Sequence, residues 1–496
     1  MHQSGFENRQ ALITFRFRMQ GIRQISVLRL RHIFLVLFFC PLFFHGIFAK
    51  AQQNFYDTDL LPSSFHKERR EALRAKLPEK SYAVFFSNPV RNRSNNVDYQ
   101  YSQDPDFYYL SGLNEPHSAL IIFKEPFKIT GRMVSELIFV QDRNPLQESW
   151  NGKRLGIEGV VSRLGLDAVY LNTEFASLLP EPTLFEKVLV KFPVDIKQKG
   201  KDNGTLNSMV ETITDKLKSA NKEPESGLLL KAMASLREIK LKPELDLMQK
   251  AINITLDGLA EAIRAAKPGM TEYQAQAITE FYFKYKGSEY PGYGSISGSG
   301  INACVLHYVT NRKKLEDGDM LLMDMGAEYH GYTADVTRTV PVNGKFTEQQ
   351  KIIYELVLKA QLAGIAKAIP GNEFHGPHKA ATEVIAQGLV DLKIISSTDQ
   401  VKKYFTHGTS HYLGLAVHDA GNFGPLEPGM VITVEPGIYV PDGSPCDKKW
   451  WNIGVRIEDD ILITESQPVV MSEGLTKTVT GLEQLMQEKS LFETVK

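Results

Sequence analysis

The chain has 496 residues, with 57 Lys+Arg against 58 Asp+Glu and a formal net charge of −1. A balanced charge offers no basic surface for phosphates, so nucleic acid is excluded as the expected partner. The length is enough for two domains with large cores.

At the amino terminus, residues 33–44 form an apolar run that follows Arg23, Arg29 and Arg31 and precedes Ala49-Lys50-Ala51. That is the order of a secretory signal peptide, residues 1–51, cut after Ala51. The run is too short for a stable membrane anchor. Cys40 is followed by Pro41, Leu42 and Phe43 rather than by the polar sequence expected after a lipid-modified cysteine. Met19 is an alternative start. The expectation is an exported protein, periplasmic or secreted. Cleavage removes seven Lys+Arg and one Asp+Glu, which leaves 50 and 57 in 445 residues and a formal charge of −7. Cys304 and Cys446 remain, each in a stretch rich in site-like residues, and are expected to be free thiols.

Residues 52–231 read as an α/β domain, with helical spacing over 65–77 and β-rich runs at 82–86, 119–123 and 137–140. Its most distinctive segment, YSQDPDFYYLSGLNEPHSALIIF from Tyr101 to Phe123, reads as an aromatic strand, a Gly-Leu-Asn turn and a second, apolar strand. Polar, turn-rich stretches at 197–204 and 222–226 read as surface loops. From Ala232 the composition shifts towards helix, and residues 232–496 are assigned to a second domain.

That domain opens on a helix in which Pro243 takes a first-turn position and Leu245, Met248, Ile252, Leu256, Leu259 and Ile263 share one face until Pro268-Gly269. A second helix starts at Thr347, where Thr347 and Gln350 have capping-box spacing, and ends before Pro370-Gly371. Between the helices lies MLLMDMGAEYHGYTADVTRTV, residues 320–340. It reads as two strands that reverse between Tyr329 and His330, a register that sets Asp324 opposite Asp335. Helices on one side of a curved, largely antiparallel sheet complete an α+β expectation.

Two carboxylates facing each other among apolar neighbours cannot both stay ionised without a cation between them. Further donors come later in the chain. His407, His411 and His418 fall within HGTSHYLGLAVHDAG, and Glu435 and Glu458 each end a β-branched run, in VITVEPGIYV and NIGVRIEDDILIT. Two Asp, two Glu and one His suit two divalent ions of the Mn²⁺ type. Tyr308, Tyr412 and Tyr439 stand near these motifs, as core packing or as substrate contacts.

With these motifs the chain resembles the aminopeptidase P (Xaa-Pro aminopeptidase) group of the pita-bread-fold metallopeptidases. The segment 101–123 resembles that group's amino-terminal domain, and residues from about 235 to 485 resemble its catalytic domain. The resemblance implies Asp324, Asp335, His411, Glu435 and Glu458 as metal ligands. It implies His307, His418 and Arg456 at the substrate site, with His407 and Tyr439 beside them. It also implies a hydroxide held between two metals as nucleophile and Glu435 as proton shuttle. With no ligand missing, the metal-free creatinase branch is disfavoured. Peptides with proline at the second position are the expected substrates. The alternatives are a prolidase, disfavoured because HGTSH replaces the HGLGH usual there, and a catalytically inactive peptide-binding protein. A homo-oligomer, dimer or tetramer, is expected.

Overall fold

The structure is a computed structural model and describes residues 58–194 and 202–492. The signal-peptide reading, and Cys40 with it, lies outside the described residues. Among the described residues no helix is long and apolar enough to cross a membrane.

The first part is built on a five-stranded sheet in the order Val169–Leu171, Arg132–Val140, Ala119–Ile129, Ser81–Phe86, Lys187–Lys191. The three inner strands pair antiparallel and the two edge strands parallel. Helix Ser63–Lys76 turns Phe65 and Leu73 inward. The expected aromatic strand after Tyr101 is instead helix Pro105–Ser111. Asp104 overrides the β-propensity of the aromatics: its carboxylate accepts from the N–H groups of Asp106 at 3.0 Å and Phe107 at 2.9 Å, and Pro105 suits the first turn. Gly112, at φ 70°, ends the helix. Helix Ser226–Arg237 runs straight through residues 231 and 232, where the sequence divides the domains.

The second part contains one order of elements twice. Helices Lys242–Ala265 and Glu272–Tyr285 precede the ribbon of residues 320–341, and helices Glu348–Ile365 and Gly376–Asp391 precede a ribbon of residues 431–462. Every strand pair here is antiparallel among the described residues. Thr347 accepts from the Gln350 N–H at 3.3 Å and the Gln350 side chain accepts back from Thr347 at 2.9 Å, the expected capping box. One apolar cluster includes Phe107 and Leu110 of the first part and Leu247, Met248 and Tyr332 of the second.

The register of the first ribbon differs from the expected one. Asp324 pairs with Thr337 and Tyr329 with Tyr332, so the reversal falls between His330 and Gly331. Both residues have positive φ, 50° and 85°, as a two-residue type I′ turn requires, and Gly331 supplies that conformation without a steric cost.

Candidate metal centre

Asp324 comes from strand Met320–Met325, and Asp335 immediately precedes strand Val336–Pro341. In the observed register Asp335 stands across from Gly326, two residues beyond Asp324. Because side chains alternate, the two aspartates still share one face, as diagonal neighbours rather than as a direct pair. Tyr293 joins them: its hydroxyl lies 2.6 Å from Asp324 Oδ1 and 2.5 Å from Asp335 Oδ1. Gly326 permits the close approach between them, since a Cβ there would lie 1.7 Å from the Ala334 carbonyl oxygen.

The second ribbon supplies the glutamates. Val434 pairs with Asp459 and Gly437 with Arg456, so one register runs through the gap and sets Glu435 across from Glu458. Each glutamate sits where its strand leaves one sheet and enters another. Thr337 ties the ribbons together, its hydroxyl donating to Glu458 Oε2 at 2.6 Å while its carbonyl accepts from the Glu458 N–H at 3.2 Å. Behind Glu458, the fully buried Arg338 donates to the Glu458 carbonyl at 2.7 Å and to Asp459 at 2.8 Å. Removing one partner of such a buried pair typically costs about 3–5 kcal/mol, so this strand end is held firmly.

His411 completes the centre. Its Nε2 lies 3.4 Å from Asp335 Oδ2 and 3.5 Å from Glu435 Oε1, and its Nδ1 lies 3.1 Å from the Tyr412 carbonyl. Asp335, His411 and Glu458 each offer one ligand atom, all within 4.8 Å of one another. Asp324 is joined to this group through Tyr293. Its other oxygen takes Arg456 Nη2 at 2.5 Å.

Arg456 also donates to the Tyr439 hydroxyl at 2.9 Å, which in turn lies 2.8 Å from His407 Nε2. Arg456 and Tyr439 are buried, 3% and 4% exposed, and so reach the site from behind it. His307 and His418 are exposed. The His418 ring stands edge-on to His411 at 4.4 Å between centroids, and His307 is near enough to His407 and His418 to act on both electrostatically. Tyr412 is fully buried and belongs to the core, while Tyr308 donates to Glu272 at 2.8 Å. Cys304 and Cys446 are free.

Electrostatics supply the fit test for a cation. Burial, then the charge of Asp324, pushes the Asp335 carboxyl up. Burial, and against it the pull of His411, leaves Glu435 raised to about 7. Burial and the charges of Asp335, Glu435 and Asp324 drive Glu458 well above the carboxylate range. Burial lowers His411, but its bond to Asp335 and the surrounding carboxylates outweigh that and raise it to about 9. A cluster that resists full ionisation and draws a proton onto its histidine needs positive charge. Hard oxygens with one imidazole fit divalent cations.

Residues 246–465 match Metallopeptidase family M24, and residues 66–187 match the aminopeptidase P amino-terminal domain. An Xaa-Pro aminopeptidase of Haemophilus influenzae is 36% identical over 440 residues, covering 86% of this chain and 98% of that protein. This chain belongs to the aminopeptidase P group of family M24. The Xaa-Pro aminopeptidase of Escherichia coli is 33% identical and covers 85% of this chain and 97% of its own length. Among solved structures, aminopeptidase PepP of Pseudomonas aeruginosa superposes with a TM-score of 0.77 at 33% identity. Aminopeptidase P of E. coli with the inhibitor Pro-Leu gives 0.77 at 31%, and each covers 86% of this chain and 98% of the other. The expected two-domain α+β architecture is therefore the one found, and the chain is a metallopeptidase of the aminopeptidase P type. Two residues that shape the site in this aminopeptidase P, Tyr293 and Thr337, are not among those given above from the sequence motifs as donors or substrate contacts. Thr337 looked like one more β-branched strand residue. Tyr293 lies in the glycine-flanked stretch PGYGS, where room around an aromatic was the available signal.

Proposed function

We propose that this aminopeptidase P cleaves the amino-terminal residue from peptides with proline in the second position, using two divalent ions held by Asp324, Asp335, His411, Glu435 and Glu458, with Mn²⁺ the expected metal. The observation that carries the reading is the convergence of Asp335, His411 and Glu458 on one volume, from three separate parts of a chain similar to named Xaa-Pro aminopeptidases. Bound divalent ions supply the charge that makes water nucleophilic near neutral pH and polarises a carbonyl.

The chain's own residues do the rest. His411 donates through Nδ1 to the Tyr412 carbonyl, which would leave the Nε2 lone pair to a divalent ion held among the carboxylates. Tyr293 and Arg456 hold Asp324 in place. Glu435, with oxygens 3.5 Å from both His411 and His407, is suited to take a proton from the attacking water and pass it to the leaving nitrogen. His307 and His418 donate to the oxyanion that forms on the scissile carbonyl. His407, its ring fixed by the Gly408 carbonyl at 2.7 Å and by Tyr439, orients the peptide.

An assay with Mn²⁺ added, on Arg-Pro-Pro and on Ala-Pro, tests this. Release of arginine from the tripeptide is expected. Activity confined to Ala-Pro would mean a prolidase, and bound metal without hydrolysis of either peptide would mean a binding protein.

A further inference from the structure

A set of buried charges links the first part of the chain to the loop that carries His418, and the chemistry above does not use it. Asp106, on helix Pro105–Ser111, accepts from Lys191 Nζ at 2.6 Å and from Arg237 Nη1 at 2.6 Å. Arg237 ends helix Ser226–Arg237 and turns its other terminal nitrogen onto Asp419 Oδ1, while Lys240 Nζ lies 3.3 Å from Asp419 Oδ2. Asp104 pairs with Lys191 at 2.9 Å, so Asp104, Asp106 and Asp419 are matched by Lys191, Arg237 and Lys240. Asp106, Arg237 and Lys240 are 3–4% exposed. Each carboxylate of the set has a cation in contact, which offsets the cost of burying it. In this set it is Arg237 that touches both Asp106 and Asp419.

Asp419 directly follows His418. Its N–H donates to the Tyr412 carbonyl at 2.9 Å, which closes residues 412–419 into a loop. Its carboxylate packs on Gly414, where a Cβ would lie 2.2 Å from Oδ2, and the Gly414 carbonyl accepts from the Thr333 N–H at 2.9 Å. The loop is thus pinned to the Asp324–Asp335 ribbon at one point and to Arg237 at another. His411 stands at its start, and His418 stands beside the residue that Arg237 grips.

We propose that Arg237 is a positioning residue for His418: by bridging Asp106 and Asp419 it fixes the loop against the first part of the chain and so sets where the His418 ring stands beside His411. This rests on the reading of His418 as an oxyanion donor. Lysine cannot replace the planar fork that reaches two carboxylates at once.

The test is a double-mutant cycle on the metal-loaded enzyme, with metal content and thermal unfolding measured for every variant. Arg237→Lys should lower kcat by about tenfold to a hundredfold, the loss that a displacement near 1 Å produces, with KM and bound metal near wild type. Placed in His418→Ala, the same substitution should cost nothing further. Should Arg237→Lys not fold, Asp106→Asn, which leaves the Arg237–Asp419 contact in place, goes through the same cycle with a smaller expected loss. Equal fractional losses in both backgrounds, loss of metal, or wild-type turnover would overturn the coupling. Near-normal turnover in His418→Ala alone would locate the failure in the assignment of His418, and the coupling would fall with it.

Discussion

At the scale of single residues, the candidate centre divides into groups that would bind metal and groups that would face substrate, and the two are separable by experiment. Asp335→Ala, Glu458→Ala and His411→Ala are expected to lose bound metal together with activity, because each removes a donor from the set that lies within 4.8 Å. Asp324→Ala is expected to do the same, with the added effect of leaving Arg456 and the Tyr293 hydroxyl without their shared acceptor. His307→Ala and His418→Ala are expected to keep metal and lose turnover by about a hundredfold to a thousandfold, the usual cost of a missing oxyanion donor. Metal analysis and steady-state kinetics on an Xaa-Pro tripeptide check all six variants. A His418→Ala protein without metal, or an Asp335→Ala protein with full metal, would reverse the division. These residue types were legible as donors in the sequence. Their division into roles came from resemblance, because spacing cannot say which histidine of HGTSHYLGLAVH turns inward.

At the scale of elements, the amino end of helix Lys242–Ala265 carries a pH-dependent group. Glu244 accepts from the Leu241 N–H at 2.9 Å and from the Tyr332 hydroxyl at 2.9 Å, so it both caps the helix and ties it to the first ribbon. Burial outweighs these bonds and raises its pKa to about 7, against about 4.3 in an unfolded chain. A carboxyl raised on folding favours the folded state while protonated. Its contribution is full below pH of about 4 and is lost as pH rises through about 7, on the order of 3 kcal/mol in all. Glu244→Gln, which stays neutral, should therefore lose less stability than the wild type between pH 5 and pH 8. Urea denaturation of both proteins at the two pH values checks this, and parallel falls would show that Glu244 does not titrate in that window. The helix itself was readable from Pro243 and its apolar face. Helix Pro105–Ser111 was not, because Phe107, Tyr108 and Tyr109 favour strands and one Asp104 cap decides the matter.

At the scale of the whole molecule, the charge on residues 1–51 and the Ala49-Lys50-Ala51 sequence motivate export as a proposal. The expected outcome is a mature protein beginning at Gln52 outside the cytoplasm. Amino-terminal sequencing of the fractionated protein checks it, and an intact Met1 or Met19 on a cytoplasmic chain would refute it. The sequence by itself determined the inventory of candidate donors, the strand and helix character of the second domain, and the family, because carboxylates at strand ends and helical apolar spacing are local patterns. Tertiary structure decided the rest. The reversal at His330-Gly331 made Asp324 and Asp335 diagonal neighbours, since a one-residue change at a turn moves every cross-strand partner. The facing of Glu435 and Glu458, 23 positions apart, depends on a register shared by two strand pairs, and the Asp106–Arg237–Asp419 bridge joins residues separated by 131 and 182 positions. Such contacts leave no periodic trace in a chain, because the partner that neutralises a buried charge is chosen by the fold and not by its neighbours in sequence.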